Sequence, residues 1–450
     1  MQNLSKSQNS LLLKSFKGNI YYMNRNEIIN DLIEFIDKSP INYFAVQNSI
    51  EILEKNGFKE LKENEKWKLE KSGKYFVSRD DTALIAFSVG DDPRKGFDII
   101  GSHTDSPTFK IKSKPEITSN GFLKFNVEGY GGMIVSSWFD RDLSLAGKVV
   151  FEENNKFKSQ LVKIDKDLLT IVNCAIHINR DLNSGYKYNM QDELSPTIKT
   201  IEDDFKKEGY LQKLLAKEIG VDEEKIIDFD LALYDRQKGS IMGSDDEFIH
   251  IGRLDNLASV HQSLTALINS KNEKFNMCVL NDNEEIGSGT RTGASSPFLD
   301  EIMERIVMNL GYDREDYFIA ISNSYLISAD LSHSIHPNYI NLFDSTNNTR
   351  INMGIGIKVA SNGAYTTNVE TRARFLKHVK NVGAKVQTFH NRSDKVGGST
   401  IGPVVSAKSG IKSIDVGIPI LAMHSIRELG GVDDHIEAIK IFEDFYNKKY

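Results

Sequence analysis

Phe97-Asp98-Ile99-Ile100-Gly101-Ser102-His103-Thr104-Asp105 is the stretch on which the fold turns. Its first five residues read as a short buried strand, and a histidine and an aspartate stand at its end. Polar side chains placed just past a buried strand lie at the carboxyl edge of a sheet, where open α/β folds keep their sites. Outward from this stretch the pattern recurs. Phe275–Leu280 is strand-like and leads into Asp282-Asn283-Glu284-Glu285. Phe318–Ser322 reads as another strand, with Ser328-Ala329-Asp330 beyond it, and the strand-like Ile418–Leu421 precedes His424. Asp255 opens a helical stretch that puts Leu257, Val260, Leu264 and Leu267 on one face.

Before this stretch, residues 27–37 and 43–56 read as helices, the second ended by Gly57 as a natural C′ residue. Ala83–Val89 is a further strand, and Ile411–Val416 a late one. Between Ser106 and Glu247 the texture changes. Val127–Gly132 is glycine-rich, Lys148–Phe151 and Ile171–Ile178 are strand-like, and Glu202–Ala216 is a charged helix. This block carries few candidate catalytic side chains and reads as an inserted β-rich domain. The expected division is a catalytic domain in two parts, 1–105 and 249–450, around an insert at 106–248. The expected fold is α/β: a mixed central sheet flanked by helices, with the insert as a second unit.

Net charge of −7 argues against a phosphate-binding protein, which needs clustered cations. The two cysteines, Cys174 and Cys278, are too few for a disulfide framework or a cysteine-rich zinc knuckle, and both read as buried thiols. The longest apolar run near the start, Leu11–Leu13, is far short of a signal peptide's core, and no stretch approaches the ~20 apolar residues of a membrane span. These readings point to a cytoplasmic protein with no nucleic-acid or membrane partner.

His103, Asp255, Glu284 with Glu285, Asp330 and His424 share one placement, at the tip of a strand or helix. Imidazole and carboxylate are competent zinc ligands at about 2.0–2.2 Å. Each residue also has a plainer reading. Asp255 suits a helix N-cap, His103 a core or loop histidine, and His333 and His336 either surface or supporting positions. The H-x-D spacing favours the metal reading, because a metal-bound imidazole usually gives its second N–H to a carboxylate, here Asp105. The adjacent pair fits metal-assisted hydrolysis, in which one carboxylate holds a metal while another takes a proton from water. Glu285 is then the ligand and Glu284 the base. His250, His261, His378, His390 and His435 read as structural or surface residues.

Five motifs, in order, resemble the aspartyl aminopeptidase and aminopeptidase I family. They are Gly101-Ser-His103-Thr-Asp105-Ser-Pro107, Arg253-Leu-Asp255-Asn256, Asp282-Asn-Glu284-Glu285-Ile-Gly-Ser288, Ser328-Ala-Asp330 through His336 to Tyr339, and Met423-His424-Ser-Ile-Arg-Glu428. Asn391–Pro403 resembles it as well. The resemblance implies an aminopeptidase with a co-catalytic zinc pair, in which cobalt or manganese could substitute. It implies metal ligands His103, Asp255, Glu285, Asp330 and His424, with Asp255 bridging. Glu284 would be the general base, with Asp105 orienting His103. His177 would reach a neighbouring subunit's site to steady the oxyanion, or would ligate metal. Lys358 would lie beside the substrate. The insert would mediate dimerisation within a tetrahedral homododecamer. At Asp394–Gly397 the chain departs from the eukaryotic pattern, so either acidic or neutral first residues of a free-N-terminus peptide are expected. A carboxypeptidase or deacylase on the same metal scaffold is the rival reading, and a non-enzymatic assembly protein the second.

Overall fold

In the computed structural model, which describes residues 24–271 and 273–448, the strand Phe97–His103 lies at the centre of a nine-stranded mixed sheet. Every residue of this strand is buried, as its apolar run requires. Phe275–Asn281 and Tyr325–Ala329 flank it in parallel, and Lys412–Gly417 runs parallel beyond Tyr325–Ala329. Four carboxyl ends therefore meet at one edge. Ala83–Ser88 and Ile355–Lys358 add antiparallel neighbours on either side. The apolar run at Leu11–Leu13 lies outside the described residues.

Helices cover both faces of this sheet. On one face Arg25–Lys38, Asn42–Lys55, Leu254–Ile268 and Val432–Asn447 enclose a core that includes Leu32, Leu264, Ile414 and Phe442. On the other, Phe298–Asn309, Arg314–Asn323 and Ile401–Ser409 pack around Ile99, Met277 and Met303. Gly57, at φ +83, closes the second helix as its sequence suggests. Among the described residues, no helix is long and apolar enough to cross a membrane.

Residues 108–235 supply all six strands of a second, antiparallel sheet that includes Thr108–Ser119, Phe122–Tyr130, Leu143–Glu153 and Ile226–Asp235. It has its own core around Phe109, Phe125, Leu145 and Leu231, closed by Ile426 from the late part of the chain. A five-stranded sheet containing Phe248–Ile251, Glu428–Gly431 and Pro419–Leu421 completes the β-structure.

Four local expectations are corrected. Phe318–Ser322 lies in the helix Arg314–Asn323, because Asp313 and Asp316 form a capping box ahead of it and Tyr317, Ala320 and Ile321 face inward at helical spacing. Beyond the bridges of Thr170 and Ile171, the residues to Ile178 form loop and turn. The Ile178 N–H bonds back to Ala175 carbonyl oxygen, leaving Val172, Ile176 and Ile178 exposed. Cys174 is accordingly exposed, while Cys278 is buried. The helix expected from Glu202 starts only at Tyr210, after Gly209 in the left-handed region, and runs to Ile219.

Candidate active site

Strand ends place most of the candidate residues. His103 is the last residue of its strand and pairs in register with Asn281. Three residues past Asn281, the tight turn Glu284–Ile286 carries both glutamates, entered through Asn283 at φ +57. Asp330 follows directly on Tyr325–Ala329. His424 sits in the turn after Pro419–Leu421, its own backbone left-handed at φ +67. Asp255 lies near the start of the helix Leu254–Ile268, but Arg253 holds the N-cap position and no side chain caps this end. Asp255 is therefore not the cap. Its dihedrals are non-helical, and its carboxylate is free to point elsewhere.

The carboxylate of Asp255 faces two imidazoles at once. Its Oδ1 lies 3.4 Å from Nε2 of His103, and its Oδ2 lies 3.5 Å from Nε2 of His424. His424 Nε2 is also 3.4 Å from Oε2 of Glu285, and His103 Nε2 is 3.8 Å from Oδ1 of Asp330. Two ligands at about 2.1 Å from a tetrahedral ion stand about 3.4 Å apart, so these separations suit cation coordination. His103, Asp255 and Glu285 each offer an atom within 4.8 Å of the others. Oδ1 of Asp255 and Oε1 of Glu285 are buried without a hydrogen-bond donor. Orphaned carboxylate oxygens are costly in a protein interior, and a cation is the partner that suits them.

A frame of hydrogen bonds holds this cluster. The imidazole Nδ1 of His103 lies 3.0 Å from the carbonyl oxygen of Asp105 and 3.3 Å from its Oδ1. The Asp105 carboxylate in turn accepts the Tyr130 hydroxyl at 2.7 Å and the backbone N–H groups of Glu284 and Glu285 at 3.2 and 3.1 Å. Nδ1 of His424 lies 2.7 Å from the carbonyl oxygen of Gly132. Tyr130 and Gly132 both come from the end of the second sheet, so two lobes build one site.

Electrostatics give each group a direction. Burial opposes the charge of His103, yet the facing carboxylates of Asp105, Asp255 and Asp330 hold its pKa well above the ordinary imidazole value. Burial likewise opposes His424, but Asp255 and Glu285 raise it to about 10. Burial would raise Asp255, and the two histidines overcome it, keeping this carboxyl well below its usual range. Glu285 is pushed up to about 9 by burial and by Asp255. Glu284 is pushed up to about 7 by burial, with His103 pulling it down and Asp330, Asp255 and Asp105 pushing it further up. Burial thus favours the neutral form of the glutamates, while the facing carboxylates favour the charged form of the imidazoles.

The glutamates, Asp330 and His424 line a cavity of about 470 Å³ whose other wall includes His333, Lys358, Tyr365 and Phe389. Lys358 is buried, and its ammonium donates to Oδ2 of Asp330 at 3.2 Å. His336 stands apart from the cluster, its Nδ1 accepting from the Asn338 N–H. His177 is exposed on a turn and is not brought to this cluster within one chain. His261 and His435 are buried against each other at 3.1 Å, and His378 pairs with Asp444, as structural histidines do. Two participants escaped sequence reasoning: Tyr130, and Glu428, which ends the quoted Met423–Glu428 motif.

The model of the family described as Aminopeptidase I zinc metalloprotease (M18) matches residues 35–446. A curated protein of Clostridium acetobutylicum, named "Probable M18 family aminopeptidase 2", is 49% identical over 430 residues, which span 94% of this chain and 99% of that one. The solved structure of the Ape4 and Nbr1 complex is similar at TM-score 0.90 and 36% identity, covering 99% of this chain and 87% of the other. The S. cerevisiae mApe1 dodecamer is similar at TM-score 0.83 and 31% identity, covering 94% and 97%. With a family match across most of its length and relatives this similar from end to end, the chain belongs to the M18 family and is a metallo-aminopeptidase, a peptide hydrolase that works with a bound metal.

Proposed function

We propose that this enzyme releases acidic or neutral N-terminal residues from peptides using two divalent ions, zinc foremost. His103, Asp330 and Asp255 would hold one ion, and His424, Glu285 and Asp255 the other. The observation that carries this reading is the placement of Asp255, whose two oxygens face different imidazoles at 3.4 and 3.5 Å. Cobalt and manganese would suit the same donors. When bound, such a pair supplies Lewis-acid polarisation of the scissile carbonyl and of the attacking water.

The chain's own residues do the rest. Glu284 lines the cavity without a strong cationic partner of its own, and its raised pKa suits a group that takes a proton from water and returns it to the leaving amine. Asp105 orients His103 and, through the backbone, both glutamates. Lys358 secures Asp330 at the substrate side of the cavity. His177 is read as acting in trans: the partner subunit's His177 donates to the carbonyl oxygen as charge develops there.

That role requires an oligomer. We read residues 106–248 as an inserted domain that mediates dimerisation, between catalytic parts at 1–105 and 249–450, within a homododecamer like the similar yeast assembly. Exposed Val172, Ile176 and Ile178 around His177 support an interface there. The deciding assay compares peptides with free and N-acetylated termini on metal-reconstituted enzyme. Cleavage of free peptides alone is expected; equal turnover of blocked peptides would point to another hydrolase.

A further inference from the structure

Glu428 is 2% exposed, and among the described residues no lysine or arginine pairs with it. Its two oxygens accept from two distant points of the chain. Oε1 takes the backbone N–H of His424 at 2.8 Å, and Oε2 takes that of Asp255 at 3.1 Å. Its hydrogen-bond donors are backbone N–H groups, and the charges of Arg253 and His424 act on it without ion-pair contact, so fold stability by itself gives little reason for a glutamate here. Geometry gives one. The residues whose backbones it joins are the two whose side chains oppose each other at 3.5 Å across the cluster.

The backbone carbonyls of the same two residues are also committed. The Asp255 carbonyl accepts the Ser106 hydroxyl at 2.8 Å. The His424 carbonyl accepts the Ile134 N–H at 3.0 Å. His103 and Asp330 are anchored independently: His103 by its register with Asn281, and Asp330 by its N–H on the Val416 carbonyl at 3.0 Å and by Lys358. Glu428 therefore touches His424, which belongs to one half of the cluster alone, and Asp255, which both halves share, but neither His103 nor Asp330.

We propose that Glu428 is a positioning residue, a clip that sets the separation of the Asp255 and His424 backbones and so tunes the half-site containing His424 more than the half-site containing His103 and Asp330, which it meets only through the shared Asp255. The inference rests on the two-ion reading above. In Glu428→Gln one acceptor becomes an NH₂ that confronts an N–H. In Glu428→Asp the charge stays, but the side chain is one carbon too short to reach both donors.

The test titrates zinc into chelator-stripped wild type and both variants, reading stoichiometry and the two affinities calorimetrically, beside thermal unfolding. Wild type is expected to take two ions. Both variants are expected to keep one site within about threefold of wild type and to weaken the other about 10–100-fold, the usual cost of losing a group that orients a ligand. Unchanged affinities at both sites overturn the clip, as does equal weakening of both. A normal Glu428→Asp beside an impaired Glu428→Gln would show that charge matters and bridging does not. If wild type itself binds a single ion, the two-ion reading fails. In that event, or if the variants do not fold, amide hydrogen exchange on wild type decides. Protected amides at Asp255 and His424 are expected, and exchange as fast as an exposed loop amide at either one overturns the clip.

Discussion

The backbone N–H of Glu284 donates to Oδ1 of Asp105 at 3.2 Å. The residue that ends the first strand motif thereby fixes where the glutamate of the neighbouring strand can stand. Oδ2 of the same aspartate accepts from Glu285 and from Tyr130, so one buried carboxylate carries the proposed base, a proposed ligand and a tyrosine of the second sheet. Because these bonds run to backbone N–H groups, the side chains of Glu284 and Glu285 stay free for chemistry.

Glu284→Gln keeps that backbone bond and the shape of the side chain but removes the proton acceptor. Turnover is expected to fall about 10²–10⁴-fold with metal content unchanged. Steady-state kinetics beside elemental analysis checks this, and wild-type turnover in the variant would refute the base assignment.

Metal uptake is expected to release protons at pH 7. In the metal-free chain His424 and Glu285 have pKa values raised to about 10 and about 9, and His103 is raised as well. All three hold protons below those values and must shed them to ligate, so apparent metal affinity rises with pH across the neutral range. Calorimetry in buffers of differing ionisation enthalpy measures the released protons; uptake without release would contradict the ligand set.

His177→Ala is expected to lower turnover about 10²–10³-fold, the cost of one oxyanion donor, with zinc binding intact. Mixing this variant with an inactive Glu284→Gln chain before reassembly should restore part of the activity, since each subunit supplies what the other lacks. Activity that does not recover on reassembly would argue against a role in trans.

Lys358→Met removes the ammonium that holds Asp330 and leaves one of its oxygens unpaired. A loss of about tenfold in kcat/KM is expected on Asp-, Glu-, Leu- and Met-terminated substrates alike, as for other groups that orient a ligand. A loss confined to acidic substrates would instead make Lys358 a selector for the first side chain.

Gly417→Ala tests packing behind the site. A Cβ there would lie 1.8 Å from the carbonyl oxygen of Asp330, which is backbone and has little room to yield. Destabilisation of about 3 kcal/mol is expected, read as a lowered denaturation midpoint, together with weakened metal binding as Asp330 shifts. A wild-type midpoint would show that the strand adjusts at no cost.

From the amino-acid order alone came the α/β class and the tips that carry His103, Glu284, Glu285, Asp330 and His424. A buried strand is an apolar run that must end where it meets water, and polar chemistry marks that end. Short apolar runs were less legible. Phe318-Ile319-Ala320-Ile321 reads as a strand until the capping box at Asp313 and Asp316 is seen to start a helix, and the run at Ile171–Ile178 turns back on itself, exposing Cys174. Tertiary structure decided what depends on residues far apart in the chain. It released Asp255 from capping and aimed its two oxygens at His103 and His424, and it brought Tyr130 and Gly132 across from the second sheet. It also closed Glu428 onto the backbones of Asp255 and His424. The bonds of Glu428, and that of His424 to Gly132, run to backbone N–H and C=O groups, which nearly every residue carries alike, so no spacing or residue type along the chain announces them.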